Sequence, residues 1–337
     1  MKSLTNTLIT VYLLTGLVGC GSGEGPSSVD DGTGGGPSMT IAVIPKGLSH
    51  EFWKSIHAGA LKAAAELDVT VLWQGPEKED DRQQQITVVQ NMMIRGVAGM
   101  VLAPLDDKAL RGPVEEAKAG GIPTVIIDSG LDSDQYVSFV ATDNRKGGEL
   151  AGRHMGELLQ GQGKVVMLRY QEGSASTTNR EEGFLHAAQS VGIEIVSDEQ
   201  YAGATKEEAQ GKAENLLLRF TDGDRLTIDG IFCPNESSTY GMLQALKRNG
   251  LVGDITFIGF DASPRLVESL GAGQINALVV QNPMRMGYLG VKTMVAHLRG
   301  ETVEQRIDTG VHLVRRSNMD DSSIHELLYP DLDRWLE

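Results

Sequence analysis

From Met39 onward the chain alternates short apolar runs with amphipathic stretches, and this alternation restricts the fold more than any other feature. The runs read TIAVIP, VTVLW, GMVLAP, TVIID and VSFVATD, then KVVMLRY, IEIVSD, GIFCPN, ITFIGFD and ALVVQN. Several are apolar at every position. That is the pattern of parallel strands covered on both faces, not of strands with one wet face. Between them, Phe52, Ile56, Ala60 and Ala64 recur at helical spacing, and Gln85, Val88, Met92 and Arg95 bracket a second helix. Strand and helix in turn imply βαβ units and a doubly wound α/β architecture.

A weak internal repeat divides this pattern in two. Gly99 to Asp128 and Gly230 to Asp261 each read as glycine, apolar strand, proline, acidic helix start, helix, glycine turn, apolar strand and aspartate. Two such units far apart predict two similar lobes. About ten strands also exceed what one sheet of this kind usually holds, which predicts two parallel sheets of about five.

Ligands of open α/β sheets bind outside the carboxyl ends of the strands. Here those ends carry Lys46, Asp128, Asn235, Asp261 and Gln281, from both predicted lobes. Directly after the first strand come His50, Phe52 and Trp53, and Arg180 opens a predicted helix after a Gly/Ser/Thr loop. Aspartate accepts from vicinal hydroxyls, asparagine and glutamine donate and accept, and a guanidinium supplies forked donors. Aromatic faces give a ligand ring an apolar wall. Such a wall with a few placed polar groups describes a small-molecule site. Each residue also has a plainer reading: Asp as turn former, Asn235 as helix cap, one of Phe52 and Trp53 as core, and Arg180 paired with Glu181 or Glu182.

The first residues read as a targeting segment. Lys2 precedes the apolar stretch Leu8 to Val18, which is too short to span a bilayer comfortably and ends in Leu17-Val18-Gly19-Cys20. This end resembles a bacterial lipobox, with residues 1–19 as signal peptide and Cys20 as the lipidated new N-terminus. Residues 20–38 are rich in glycine and serine, which suits a flexible tether. Of the two cysteines, Cys233 then has no partner, and its apolar surroundings predict a buried, inert thiol.

The motifs REEGF at Arg180, GIFCPNESSTYGMLQAL around Asn235, IGFDASP around Asp261 and VVQNPMRMGYLGV after Gln281 together resemble the periplasmic sugar-binding proteins of the ribose/galactose type. These are the substrate-binding subunits of ABC importers, and the resemblance runs from about Met39 to Val314. It implies the type I fold: two Rossmann-like lobes joined by three crossovers and closing on a sugar. Lobe 1 is expected to comprise residues 39–142 and 282–310. Lobe 2 comprises 143–281 and 311–337, with a C-terminal extension to which no binding role is assigned. The resemblance also implies a monomer without cofactor that passes a sugar or polyol to a permease, outside the cytoplasm in the periplasm or at the cell surface. Ribose-binding relatives tend to carry a small polar residue at the Lys46 position, Asn at that of His50, Arg at that of Ser129 and often Asn at that of Ala103. The IPK stretch ending in Lys46 also resembles binders of an autoinducer-type tetrahydroxyfuran.

Other functions fare less well. The net charge of −15 opposes nucleic-acid binding, and a repressor on this fold needs a helix-turn-helix in place of an export signal. No HExxH, GxSxG, paired CxxC or P-loop pattern marks an enzyme. TDGDRLTID lacks the sixth-position glycine and the terminal glutamate of a calcium loop and reads as a turn, so no metal site is expected. A receptor lipoprotein that presents its ligand to a sensor shares every feature above.

Overall fold

A computed structural model describes residues 39–223 and 225–336; the signal-peptide, lipobox and tether expectations lie outside them. The first apolar run forms β1 (Thr40–Ile44). Its side chains divide between two buried layers, Ile41 and Val43 in one and Ala42 and Ile44 in the other. Side chains alternate in direction along a strand, so a strand covered on both faces must be apolar throughout.

The chain continues through α1 (Glu51–Leu67), β2 (Thr70–Trp73), α2 (Arg82–Ile94), β3 (Gly99–Leu102), α3 (Arg111–Ala119), β4 (Thr124–Ile127) and β5 (Ser138–Ala141). It then leaves this sheet for α4 (Asn144–Leu158), β6 (Lys164–Arg169), α5 (Ala175–Ser190), β7 (Glu194–Tyr201) and α6 (Lys206–Leu218). A small hairpin, β8 (Thr221–Asp222) and β9 (Arg225–Leu226), precedes β10 (Gly230–Phe232), α7 (Glu236–Arg248), β11 (Thr256–Phe260), α8 (Pro264–Gly271) and β12 (Ala277–Gln281). The chain returns to the first sheet with α9 (Pro283–Leu298) and β13 (Arg306–Asp308). It crosses once more into β14 (Val311–Val314) and ends in α10 (Ser322–Leu328) and α11 (Asp333–Leu336).

Two sheets result, ordered β13-β5-β4-β3-β1-β2 and β14-β12-β11-β10-β6-β7. All pairings in them are parallel except that of β14 with β12. The ten apolar runs all appear as strands, and each sheet has a sixth, because the last crossing lays β13 on one edge and β14 on the other. Arg306–Asp308 is too short and polar to announce itself as a strand. Core clusters cover both faces of both sheets, and Cys233 lies in one of them as a free thiol whose pKa burial pushes well up. The crossings lie side by side: Thr142 and Thr309 bring their hydroxyls to 3.4 Å, and the Asp143 N–H donates to Asp308 Oδ1 at 3.3 Å.

Candidate ligand-binding site

In each sheet the strand order reverses beside the first strand of that sheet, between β1 and β3 and between β6 and β10. Loops diverge at such a point and leave a crevice. The two crevices face each other, and all nine residues selected from the sequence line a cavity between them.

The two aspartates of the internal repeat occupy equivalent places. Asp128 follows β4 with φ of 60° and Asp261 follows β11 with φ of 68°. Left-handed backbone is costly for most residues but tolerated by aspartate, and it turns the carboxylate back over the strand ends. Asp128 Oδ2 meets Lys46 Nζ at 2.9 Å, while Asp261 accepts from Gln281 Nε2 at 2.7 Å and from the Glu236 N–H at 3.0 Å. Arg180 stands between them, 3.9 Å from each. It lies in the second turn of α5 and does not open the helix as expected. Its partners are Asn144 Oδ1 at 2.7 Å and the Pro234 carbonyl at 3.0 Å rather than Glu181 or Glu182, and it lies 4.0 Å over the Phe260 ring. A Cβ on Gly148 would come within 1.9 Å of the Arg180 carbonyl oxygen, so α4 and α5 touch backbone to backbone and hold this arginine in place.

Lys46 reaches from the end of β1 across the cleft to Ser176 Oγ at 2.9 Å and Ser174 Oγ at 3.2 Å. With Asp128 these acceptors satisfy all three donors of the ammonium. Asp261 takes no part in this pairing. Asn235 caps α7: its Oδ1 accepts from the Ser238 N–H at 3.1 Å, and its Nδ2 donates to Ser237. Trp53 is core, 3% exposed, and gives its indole N–H to Glu79 at 2.7 Å, whereas Phe52 is only partly buried.

Several lining residues escaped the sequence reading: Glu79, Tyr170, Ser176, Thr177 and Glu236. Glu79 is the hub. His50 Nδ1 lies 2.5 Å from its carboxylate, and the Tyr170 hydroxyl donates to it at 2.8 Å from the other sheet. Burial alone would lower the His50 pKa, but the Glu79 carboxylate overrides it and raises the value to about 9. Burial likewise works to raise Glu79, and His50, Lys46 and the Trp53 N–H bring it down to about 2. The pair is therefore ionic. Burial lifts Asp261 to about 6 against the pull of Arg180 and Gln281. Glu236 accepts from the Glu51 and Phe52 N–H groups at 3.5 and 3.2 Å, and Lys206 neutralises it at 2.7 Å. Tyr170 ends the run KVVMLRY, so the strand-end rule that found Asp128 also points to it. Glu79 sits in the charged stretch EKEDD, where nothing distinguishes the buried member.

Charge thus balances within the site: Lys46 with Asp128, His50 with Glu79, Lys206 with Glu236, and Arg180 between two carboxylates. Two buried polar atoms that line this cavity have no partner in the protein, His50 Nε2 and Gln281 Oε1. One is a donor in the imidazolium and the other an acceptor, and a hydroxyl-bearing molecule satisfies both. Among the described residues no cluster suits a metal ion, and no helix is long and apolar enough to cross a membrane.

The chain matches the periplasmic binding protein domain over residues 41–302. It is 27% identical over 277 residues to the ribose import binding protein of Escherichia coli, covering 82% of this chain and 90% of that protein. Among solved structures, the periplasmic component of an ABC-type sugar transport system from Hahella chejuensis is 36% identical, with a TM-score of 0.78 over 82% of this chain and 99% of that one. A carbohydrate transporter solute-binding protein from Agrobacterium radiobacter, in complex with D-arabinose, is 34% identical, with a TM-score of 0.82 over 87% and 99%. All three are binding or transport proteins rather than enzymes.

Proposed function

The chain belongs to the periplasmic binding protein family, and from that premise we propose that it captures one small neutral sugar or polyol between its two lobes, without turnover, and hands it to an ABC import permease. The observation that carries the reading is the cavity between facing crevices, where charges cancel and one buried donor and one buried acceptor stand unpartnered. A sugar acid would need a cation to spare, and all the donors of Lys46 are engaged. The candidate contacts are Lys46, His50, Phe52, Trp53, Asp128, Arg180, Asn235, Asp261 and Gln281, with Glu79 and Tyr170 supporting them. Asn235 contributes mainly by shape, since its oxygen is engaged by the helix. Residues 39–142 and 282–310 form lobe 1 and residues 143–281 and 311–337 lobe 2 in this reading.

Lipid on Cys20 anchors the protein outside the cytoplasm, and residues 20–38 tether the binding domain to it. The lipobox-like stretch and its glycine-rich sequel support this. Cys20→Ser should move the protein from the membrane to the soluble fraction and abolish an acyl mass at the mature N-terminus; a variant that stays at the membrane refutes the anchor.

Titration calorimetry against pentoses, hexoses, inositols and tetrahydroxyfurans tests the central claim. One site per chain and no product after prolonged incubation are expected. Failure of every neutral polyol alongside binding of a sugar acid would overturn the neutral-ligand reading.

A further inference from the structure

The segment after β14 does more than end the chain. In α10, Ile324 and Leu328 are buried in the core of the second sheet with Leu266 and Leu270, and Leu327 packs partly buried against the same cluster. The chain then turns at Pro330, and α11 lies against α1, which covers the first sheet. The segment therefore passes from one half of the molecule to the other at the side of the cleft.

Beneath it lies a second small cavity of about 30 Å³. Four residues around it, Phe52, Glu236, Asp261 and Gln281, also line the first cavity. Its other walls are Ser55 from α1, whose hydroxyl is the one polar side chain among them, and the apolar Ala262, Val280, Pro283, Leu327 and Pro330, the last two from the C-terminal segment. Gln281 stands at the boundary. Its Nε2 is held by Asp261, and its Oε1 is buried without a partner.

We propose that the ligand site has a second compartment whose outer wall is the C-terminal segment, and that this compartment takes a methyl-sized apolar substituent on the bound sugar. This rests on the reading that the first cavity holds a sugar. Gln281 Oε1 accepts from a ring hydroxyl at the boundary, and the substituent projects past it toward Leu327. A volume of about 30 Å³ is close to that of one water or one methyl group. At the outer wall Val280, Leu327 and Pro330 offer no side-chain hydrogen bond, so a hydroxyl directed at them, away from Ser55, Glu236 and Asp261, loses its water partners and a methyl group does not. A methyl glycoside, a methyl ether of an inositol or a terminal deoxy sugar fits this description. Leu327 is then a specificity residue that the binding of an unsubstituted sugar does not require.

The test is calorimetry on the full chain with matched pairs: ribose and its methyl ribosides, galactose and its terminal deoxy form, and myo-inositol and its monomethyl ethers. In at least one pair the methyl-bearing member should bind about tenfold more tightly, the lower end of what one methylene decides in an apolar pocket. Leu327→Trp fills the compartment and should erase that preference. Leu327→Met conserves volume and should keep it, which separates loss of space from loosening of α10. Equal binding within every pair overturns the proposal, as does a preference that Leu327→Trp leaves unchanged. If parent sugars bind with no methyl preference, only the second compartment fails. If no sugar of either kind binds, the sugar reading itself fails and this proposal with it.

Discussion

Arg180 and Asp261 have little access to water by which to recover what a lost partner takes away. Both are buried, and each sits within a set of charges that cancel only together. Removing one member of a desolvated charged set costs about 2–5 kcal/mol, so Arg180→Ala and Asp261→Ala should each weaken sugar binding roughly thirtyfold or more. Unchanged affinity in calorimetry removes that residue from the site. Lys46 has all its donors engaged, so Lys46→Met strands Asp128 and should lower the melting temperature as well as affinity. The His50–Glu79 pair sets a pH window. The His50 pKa is raised to about 9, so its stabilisation is complete below the unfolded value near 6.5 and is lost as pH rises through 9. The Glu79 pKa is lowered to about 2, so its share is complete above the unfolded value near 4.5 and is lost as pH falls through 2. Glu79→Gln breaks a buried pair, at a cost of about 3–5 kcal/mol. Its melting-temperature deficit against the unmodified protein should be largest between pH 4.5 and 6.5 and shrink on either side. A deficit independent of pH refutes the ionic pair.

At the scale of elements, α1 begins without a side-chain cap of its own, since His50 faces Glu79 instead. The first N–H groups of a helix need acceptors, and a carboxylate beside them is worth up to about 2 kcal/mol when partly buried. Glu236 supplies that carboxylate from the start of α7, which packs on the other sheet. Glu236→Gln should therefore speed ligand release by up to about thirtyfold, measured by stopped flow. An unchanged release rate would show that the contact adds nothing to closure. The packing of α4 on α5 is the second elementary constraint. Gly148→Ala puts a methyl group against the Arg180 backbone and should destabilise the fold by about 1–3 kcal/mol in denaturant titration, more if α5 cannot shift.

For the whole molecule, the two sheets stand closed on each other. Lys46 reaches Ser174 and Ser176, Tyr170 reaches Glu79, the Ser176 N–H reaches Ser129 Oγ at 3.0 Å, and Arg82 reaches the Glu172 carbonyl at 2.9 Å. The cavity between them is about 30 Å³, about one water's share of volume. A sugar enters only if the lobes part at the three adjacent crossings or Lys46 swings aside. Small-angle scattering should show the chain more compact with a saturating sugar than without it. Identical curves would favour side-chain movement alone.

The amino-acid pattern alone determined the architecture. Unbroken apolar runs separated by amphipathic helices leave only covered parallel sheets, and the repeat ending in Asp128 and Asp261 divides them in two. It also placed Lys46, Asp128, Asn235, Asp261 and Gln281 at strand ends, because the carboxyl ends of such strands are where loops diverge. Which partner each side chain takes was decided only by the tertiary structure. Glu79 and Glu236 look like surface charges in sequence and are buried hubs in space, because their counter-ions and donors come from the other lobe or from distant stretches of chain. The short edge strands β13 and β14 and the path of residues 315–336 beside the cleft are similarly non-local. A few residues carry too little periodicity to signal a strand, and a segment's neighbours across a cleft leave no trace in its own sequence.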